Sequence, residues 1–136
     1  MTPLFQIEIG VNKHWSQKNN NTIRRTGQRL FVGKQQKLIN DKNWLILQLR
    51  QAWQNKKTIS RPVHVKLTFA FKDFYTAKNE MNLKLGDLDN LLCLPLDALT
   101  IAGIIRDDAL VMSLDGSRKA PGTTNKLSIE INEFVI

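Results

Sequence analysis

The sequence predicts one α/β domain, residues 1–136, built on a small mixed sheet with two main helices. Three observations predict it. The chain is 136 residues long, the usual size of one domain. Residues 63–71 alternate strictly between apolar and polar. Two stretches with helical spacing, near 35–54 and 87–102, separate segments that read as strands, giving the order β-(β)-α-β-α-β-β.

Taken in order, Phe5, Ile7, Ile9 and Val11 share one face with Gln6 and Glu8 on the other, the period of a half-buried strand. Asn12–Gly27 is polar and carries Asn19-Asn20-Asn21 and Arg24-Arg25, a long basic loop of the kind that is usually functional or mobile. Arg29–Val32 is expected to be a short strand closing a hairpin. Leu38, Leu45, Leu49 and Ala52 or Trp53 then follow helical spacing, and Gln54–Arg61 reads as a basic connector. Val63, Val65, Leu67, Phe69 and Phe71 face inward on the next strand, with His64, Lys66, Thr68 and Ala70 outward. Asp73–Leu85 is irregular.

A second helix starts near Asp87–Asn90, where Asp or Asn satisfies free backbone N–H groups, and stops at Gly103. Pro95 inside it should bend it, since it cannot donate to the Leu91 carbonyl. Ala109–Leu114 reads as a strand, Ser117–Asn125 as a turn around Pro121-Gly122, and Leu127, Ile129 and Ile131 as a last alternating strand.

Composition narrows the function. Hydrophobic residues make up 42%, enough for a core. No apolar run of about 18 residues is present, so no membrane span is expected, and the N-terminus lacks the pattern of a signal peptide. The single cysteine, Cys93, cannot form an internal disulfide, and a cytoplasmic setting fits. Both histidines, His14 and His64, read as ordinary surface residues.

The net charge of +8 favours an anionic partner, with nucleic acid first. Its distribution says more. Residues 1–72 carry 14 Lys/Arg against two acids, a net of +12, whereas residues 73–136 carry six against ten, a net of −4. Six of those ten acids lie between Asp87 and Asp115. Such an acidic knot repels DNA unless a divalent cation reverses its sign.

Asp87 and Asp89 project to one side in extended backbone and can converge on one ion. Asp108 can join them only if the connector from Gly103 runs straight back along the helix, or if a partner subunit supplies it. Mg²⁺ suits such a set because it prefers oxygen ligands and leaves positions for water and phosphate. Helix capping by Asp89 and a solvated Asp107-Asp108 turn is the alternative reading of the same residues. An EF-hand is excluded because Leu91 and Leu92 fall at ligand and glycine positions. Zinc lacks ligands, and no Gly-rich phosphate loop is present.

The stretch Gly86-Asp87-Leu88-Asp89-Asn90, the Asp97-Ala98-Leu99 helix segment and Ala102-Gly103 through Asp107-Asp108 resemble the signature of RusA-type Holliday junction resolvases. Val11-Asn12-Lys13-His14-Trp15, the Arg-rich segment after it and Phe31-Val32 are similar to that family in the same order. The resemblance implies a closely packed or intertwined homodimer that nicks four-way DNA junctions symmetrically, using Mg²⁺ or Mn²⁺ and no small-molecule cofactor, in DNA recombination and repair. The family often travels with phages, so a bacterial or phage-infected cytoplasm is implied.

Its three catalytic, metal-holding aspartates fall on Asp87, Asp89 and Asp108. Asp107 is then a neighbour that shapes the turn, and Asp97 is structural. The family's functional lysine falls on Cys93, a thiol that cannot supply its charge, and Lys84 or Arg106 are candidate substitutes. On this reading Cys93→Lys maintains or raises cleavage. Asn12, Lys13, Trp15, Lys18, Arg24, Arg25, Arg29 and Lys34, with Lys37, form the expected DNA surface. Two alternatives differ in kind: a junction-binding homologue without catalysis, marked by Cys93, and an unrelated basic RNA-binding domain indifferent to the aspartates.

Overall fold

A computed structural model describes residues 2–15 and 28–136, the backbone alone for 28–36. The elements are β1 (Phe5–Gly10), α1 (Gln28–Trp53), β2 (Val63–Phe71), α2 (Leu88–Ile101), a 3₁₀ turn (Asp108–Leu110), β3 (Val111–Ser113), β4 (Arg118–Pro121) and β5 (Lys126–Glu133). Among the described residues they form a small α/β domain with two helices and a five-stranded mixed sheet.

The most regular stretch of the sequence becomes the centre of the sheet. β2 pairs antiparallel with β5, with Val65 opposite Ile131 and Phe69 opposite Leu127, and β5 pairs antiparallel with β1. On its other side β2 meets β3 and then β4, both parallel, in succession along one edge. Between those two short strands the Ser117 Oγ accepts the Leu67 N–H at 3.0 Å, filling the place of a ladder bond. The inward residues of β2 and β5 are buried and the outward ones half-buried, as expected of a sheet with one covered face.

Leu45, Leu49 and Trp53 of α1 and Leu91, Leu94, Ala98 and Leu99 of α2 are buried in one core with the inward sheet residues. Phe5 of β1 meets Trp53 edge to face at 5.6 Å. The two helices are also tied by an ion pair between Lys42 and Asp97, which gives Asp97 a structural contact. No helix among the described residues is long and apolar enough to cross a membrane.

Three expectations about elements are corrected. Arg29–Val32 is not a strand but the first turns of α1, which runs unbroken from Gln28. Gly33 and Lys34 alone separate the two expected elements, and one glycine costs a helix about 1 kcal/mol, too little to stop it. The expected Ser117–Asn125 turn contains β4, an edge strand whose pairing comes from backbone bonds to β2 and needs no apolar alternation of its own. It ends at Pro121, a residue tolerated at sheet edges. The strand expected over Ala109–Leu114 shrinks to β3, because Asp108–Leu110 forms the 3₁₀ turn.

α2 continues through Pro95, which is buried. It stops in a Schellman motif: Gly103 N–H bonds the Thr100 carbonyl at 3.1 Å and Ile104 N–H the Leu99 carbonyl at 3.1 Å. Gly103 has φ of 81°, a conformation that glycine adopts without strain.

Candidate active site

α2 is the crossover between β2 and its parallel neighbour β3, so its start lies beyond the C-terminal end of β2. In open α/β sheets that end is where ligands gather. Gly86, with φ of 94°, turns the chain into the helix. Asp87 is the N-cap residue, with φ −77° and ψ 139°, yet its side chain makes no capping hydrogen bond. Asp89 Oδ1 accepts only the adjacent Asn90 N–H among the backbone groups of that turn, at 2.9 Å. Both carboxylates are exposed. A helix start that leaves its first Asp out of capping is not explained by capping alone.

Asp108 is placed elsewhere. The connector after Gly103 does not run back along α2. Ile105 forms a β-bridge with Ile59, and Arg106 N–H bonds the Ile59 carbonyl at 3.0 Å. This pins Asp108 beside the last turn of α2, where its carboxylate accepts the Thr100 hydroxyl. Thr100 lies roughly 16 Å along the helix from Asp89 at 1.5 Å per residue.

The two ends share a face, however. Cys93, one turn beyond Asp89 and donating its thiol to the Asp89 carbonyl at 3.3 Å, lines an open groove with Leu96, Asp97, Asp108 and Val111. Among the described residues no three His, Cys, Asp or Glu side chains already cluster as a metal site. The donor set still fits Mg²⁺, which commonly takes one or two carboxylates and completes its octahedron with water and phosphate.

The neighbouring residues have distinct places. Asp107 caps the 3₁₀ turn by accepting the Ala109 N–H at 2.9 Å. Lys84 and Arg106 are exposed on the segments flanking α2. One basic group was not singled out from the sequence: Lys119 of β4, whose Nζ donates to the Gly86 carbonyl at 2.9 Å. No local pattern marks it, since its position depends on the parallel register of β4 with β2.

The expected DNA surface is seen in part. Lys18, Arg24 and Arg25 lie outside the described residues, and Arg29 and Lys34 fall on α1 where only the backbone is described. Asn12 and Lys13 are exposed and line a cleft with Lys37, Trp15 and Trp44. Trp15 itself is 8% exposed and belongs to the hydrophobic core, so it supports this cleft by packing and offers little surface.

The loop is fastened to the sheet by Asn125, which donates to the Asn12 carbonyl at 2.9 Å and accepts the Lys72 N–H at 3.0 Å. His14 fastens it too, and here the expectation of a surface histidine is corrected. His14 is 9% exposed, between Phe69 and Phe71, with Nε2 bonded to the Ala70 carbonyl at 2.7 Å. A carbonyl only accepts, so Nε2 carries the proton and buried Nδ1 has no partner. Burial holds its pKa below the ordinary 6.5, with the bond to Ala70 opposing in part. His64 remains at the surface, its Nε2 bonded to the Asp115 carbonyl at 2.7 Å.

Taken together these features define a basic α/β domain with two exposed carboxylates at a crossover-helix start and a lysine held beside them. Residues 13–132 of the chain match the family model described as endodeoxyribonuclease RusA, and the chain belongs to that family. The family is one of Holliday junction resolving nucleases. No curated protein matches the chain.

Proposed function

We propose that this protein resolves four-way DNA junctions by paired, metal-dependent hydrolysis of phosphodiester bonds. Asp87 and Asp89 would hold a Mg²⁺ or Mn²⁺ ion, and Asp108 would be its third carboxylate on leaving Thr100 or from a partner subunit. The observation that carries this reading is the pair of exposed aspartates at the start of α2, the first of which makes no capping bond, in a chain whose family match spans residues 13–132. When bound, the ion lowers the pKa of a coordinated water and stabilises charge on the scissile phosphate. The chain's own work is to fix two carboxylates two residues apart on a rigid helix start, and to present DNA-facing basic groups, Lys13 and Lys37, from the cleft beside α1. Lys18, Arg24, Arg25, Arg29 and Lys34 belong to the same proposed surface.

A four-way junction has approximate two-fold symmetry, so a C₂ homodimer with two such sites would deliver the paired nicks. Recombination and repair in a bacterial or phage-infected cytoplasm is the corresponding setting. The test is incubation of a labelled four-way junction, with a matched duplex, in Mn²⁺ and in EDTA. Symmetric nicks by wild type, lost in Asp89→Asn, are expected. Tight junction binding with no nicking by wild type would make the protein a non-catalytic binder, and a preference for RNA would reject both.

A further inference from the structure

β4 pairs with β2 so that Lys119 stands opposite Phe69. Residues opposite each other in a sheet point to the same face, and Phe69, 1% exposed, points into the core. Lys119 therefore starts on the helix-covered face of the sheet, a place where a lysine is disfavoured unless its ammonium reaches a partner. It reaches one: Nζ extends to the rim of the core and donates to the Gly86 carbonyl at 2.9 Å, half-buried and 33 residues away in sequence.

Gly86 is the last residue before Asp87, and peptide geometry puts the ammonium within about 6 Å of the Asp87 Cα. A lysine ammonium has three donors in a compact charge, and Gly86 engages one of them. Cys93, one turn into the helix, donates its thiol to the Asp89 carbonyl.

We propose that Lys119 is a positioning residue for the Asp87–Asp89 segment. It clamps the turn at Gly86 and holds a positive charge in a fixed place beside the start of α2. The proposal rests on the nuclease reading above. A positive charge held there favours the negative charge that develops on a phosphate bound beside the two aspartates. Charge of the same sign placed on the neighbouring helix turn should do the same work, which makes residue 93 the natural site for rescue.

The experiment compares wild type, Lys119→Met and Lys119→Met/Cys93→Lys in single-turnover cleavage of a four-way junction with Mn²⁺. It adds junction binding in EDTA and the rise in melting temperature caused by Mn²⁺. Lys119→Met should cleave on the order of 100-fold more slowly, while junction affinity in EDTA stays within about threefold, as for loss of at most one phosphate contact. The Mn²⁺-induced rise should equal or exceed that of wild type, because a repelling cation has gone. Adding Cys93→Lys should recover about tenfold or more of the lost rate.

Cleavage by Lys119→Met at the wild-type rate overturns the proposal and leaves the nuclease reading intact. So does failure of the second lysine to rescue, a smaller Mn²⁺-induced rise, or a Lys119→Met protein that does not fold; each would make Lys119 a purely structural clamp. Absence of cleavage by wild type itself would sink the nuclease reading, and this proposal with it.

Discussion

The two ends of α2 are built from similar parts and do different things. Each has a glycine in the left-handed region, Gly86 at φ 94° and Gly103 at φ 81°. Each has exposed aspartates, Asp87 and Asp89 at the start, Asp107 and Asp108 past the end. At the C-terminal end the polar groups are spent on structure: Gly103 and Ile104 close the helix, Thr58 Oγ1 donates to the Gly103 carbonyl at 2.7 Å, Asp107 caps the next turn and Asp108 takes the Thr100 hydroxyl. At the N-terminal end the N-cap side chain does no capping, and a lysine from a distant strand holds the turn instead. A helix start whose exposed N-cap aspartate is not spent on capping can put its carboxylates to work on a ligand, and a tightly closed helix end secures the fold.

The largest expected effect tests that contrast directly. Asp89→Asn should lower junction cleavage on the order of 1000-fold, with binding in EDTA retained. Asp108→Asn should approach that loss if Asp108 leaves Thr100 to join the metal, and a loss below about tenfold would confine the site to the N-terminal end. If the proposed dimer forms, mixed dimers of Asp89→Asn and Asp108→Asn subunits regain cleavage only if Asp108 acts across it, because only then does one site keep both aspartates.

Gly103→Ala comes next. It forces a side chain into a left-handed conformation at a cost of about 1–2 kcal/mol, read by denaturant unfolding, and cleavage by the folded protein should stay at the wild-type rate. The corresponding Gly86→Ala change should lose far more cleavage than stability, and equal losses at the two glycines would break the comparison.

Smaller again is the effect of pH at His14, away from both ends of α2. Its proton is held less tightly in the folded than in the unfolded chain, so stability is full above pH 6.5 and declines as pH falls below it. A His14→Gln variant should show no such decline in its melting temperature between pH 7 and pH 5. The least effect is expected at mid-helix: Lys42→Met should cost under about 1 kcal/mol, since the Lys42–Asp97 pair is partly exposed.

Strands with apolar alternation were legible in the sequence. Val63–Phe71 and Leu127–Ile131 appear where expected because period-two burial is written into the residues themselves. The start of α2 and its stop at Gly103 were legible for a similar reason, in local backbone chemistry. β4 was not, because its pairing is made by backbone groups against a strand some 50 residues earlier. Arg29–Val32 misled because short apolar runs suit helix and strand alike. His14 looked like a surface residue because its neighbours in sequence are polar, whereas its neighbours in space are Phe69 and Phe71.

By itself the sequence determined the class of fold, the family and the identity of the acidic residues, since periodicity, caps and motif spacing are local properties of the chain. Only the tertiary structure decided how those residues are distributed. The Ile59–Ile105 bridge keeps Asp108 at the far end of α2, and the parallel register of β4 carries Lys119 to Gly86. Both depend on contacts between segments far apart in sequence, and such contacts are set by packing of the whole domain.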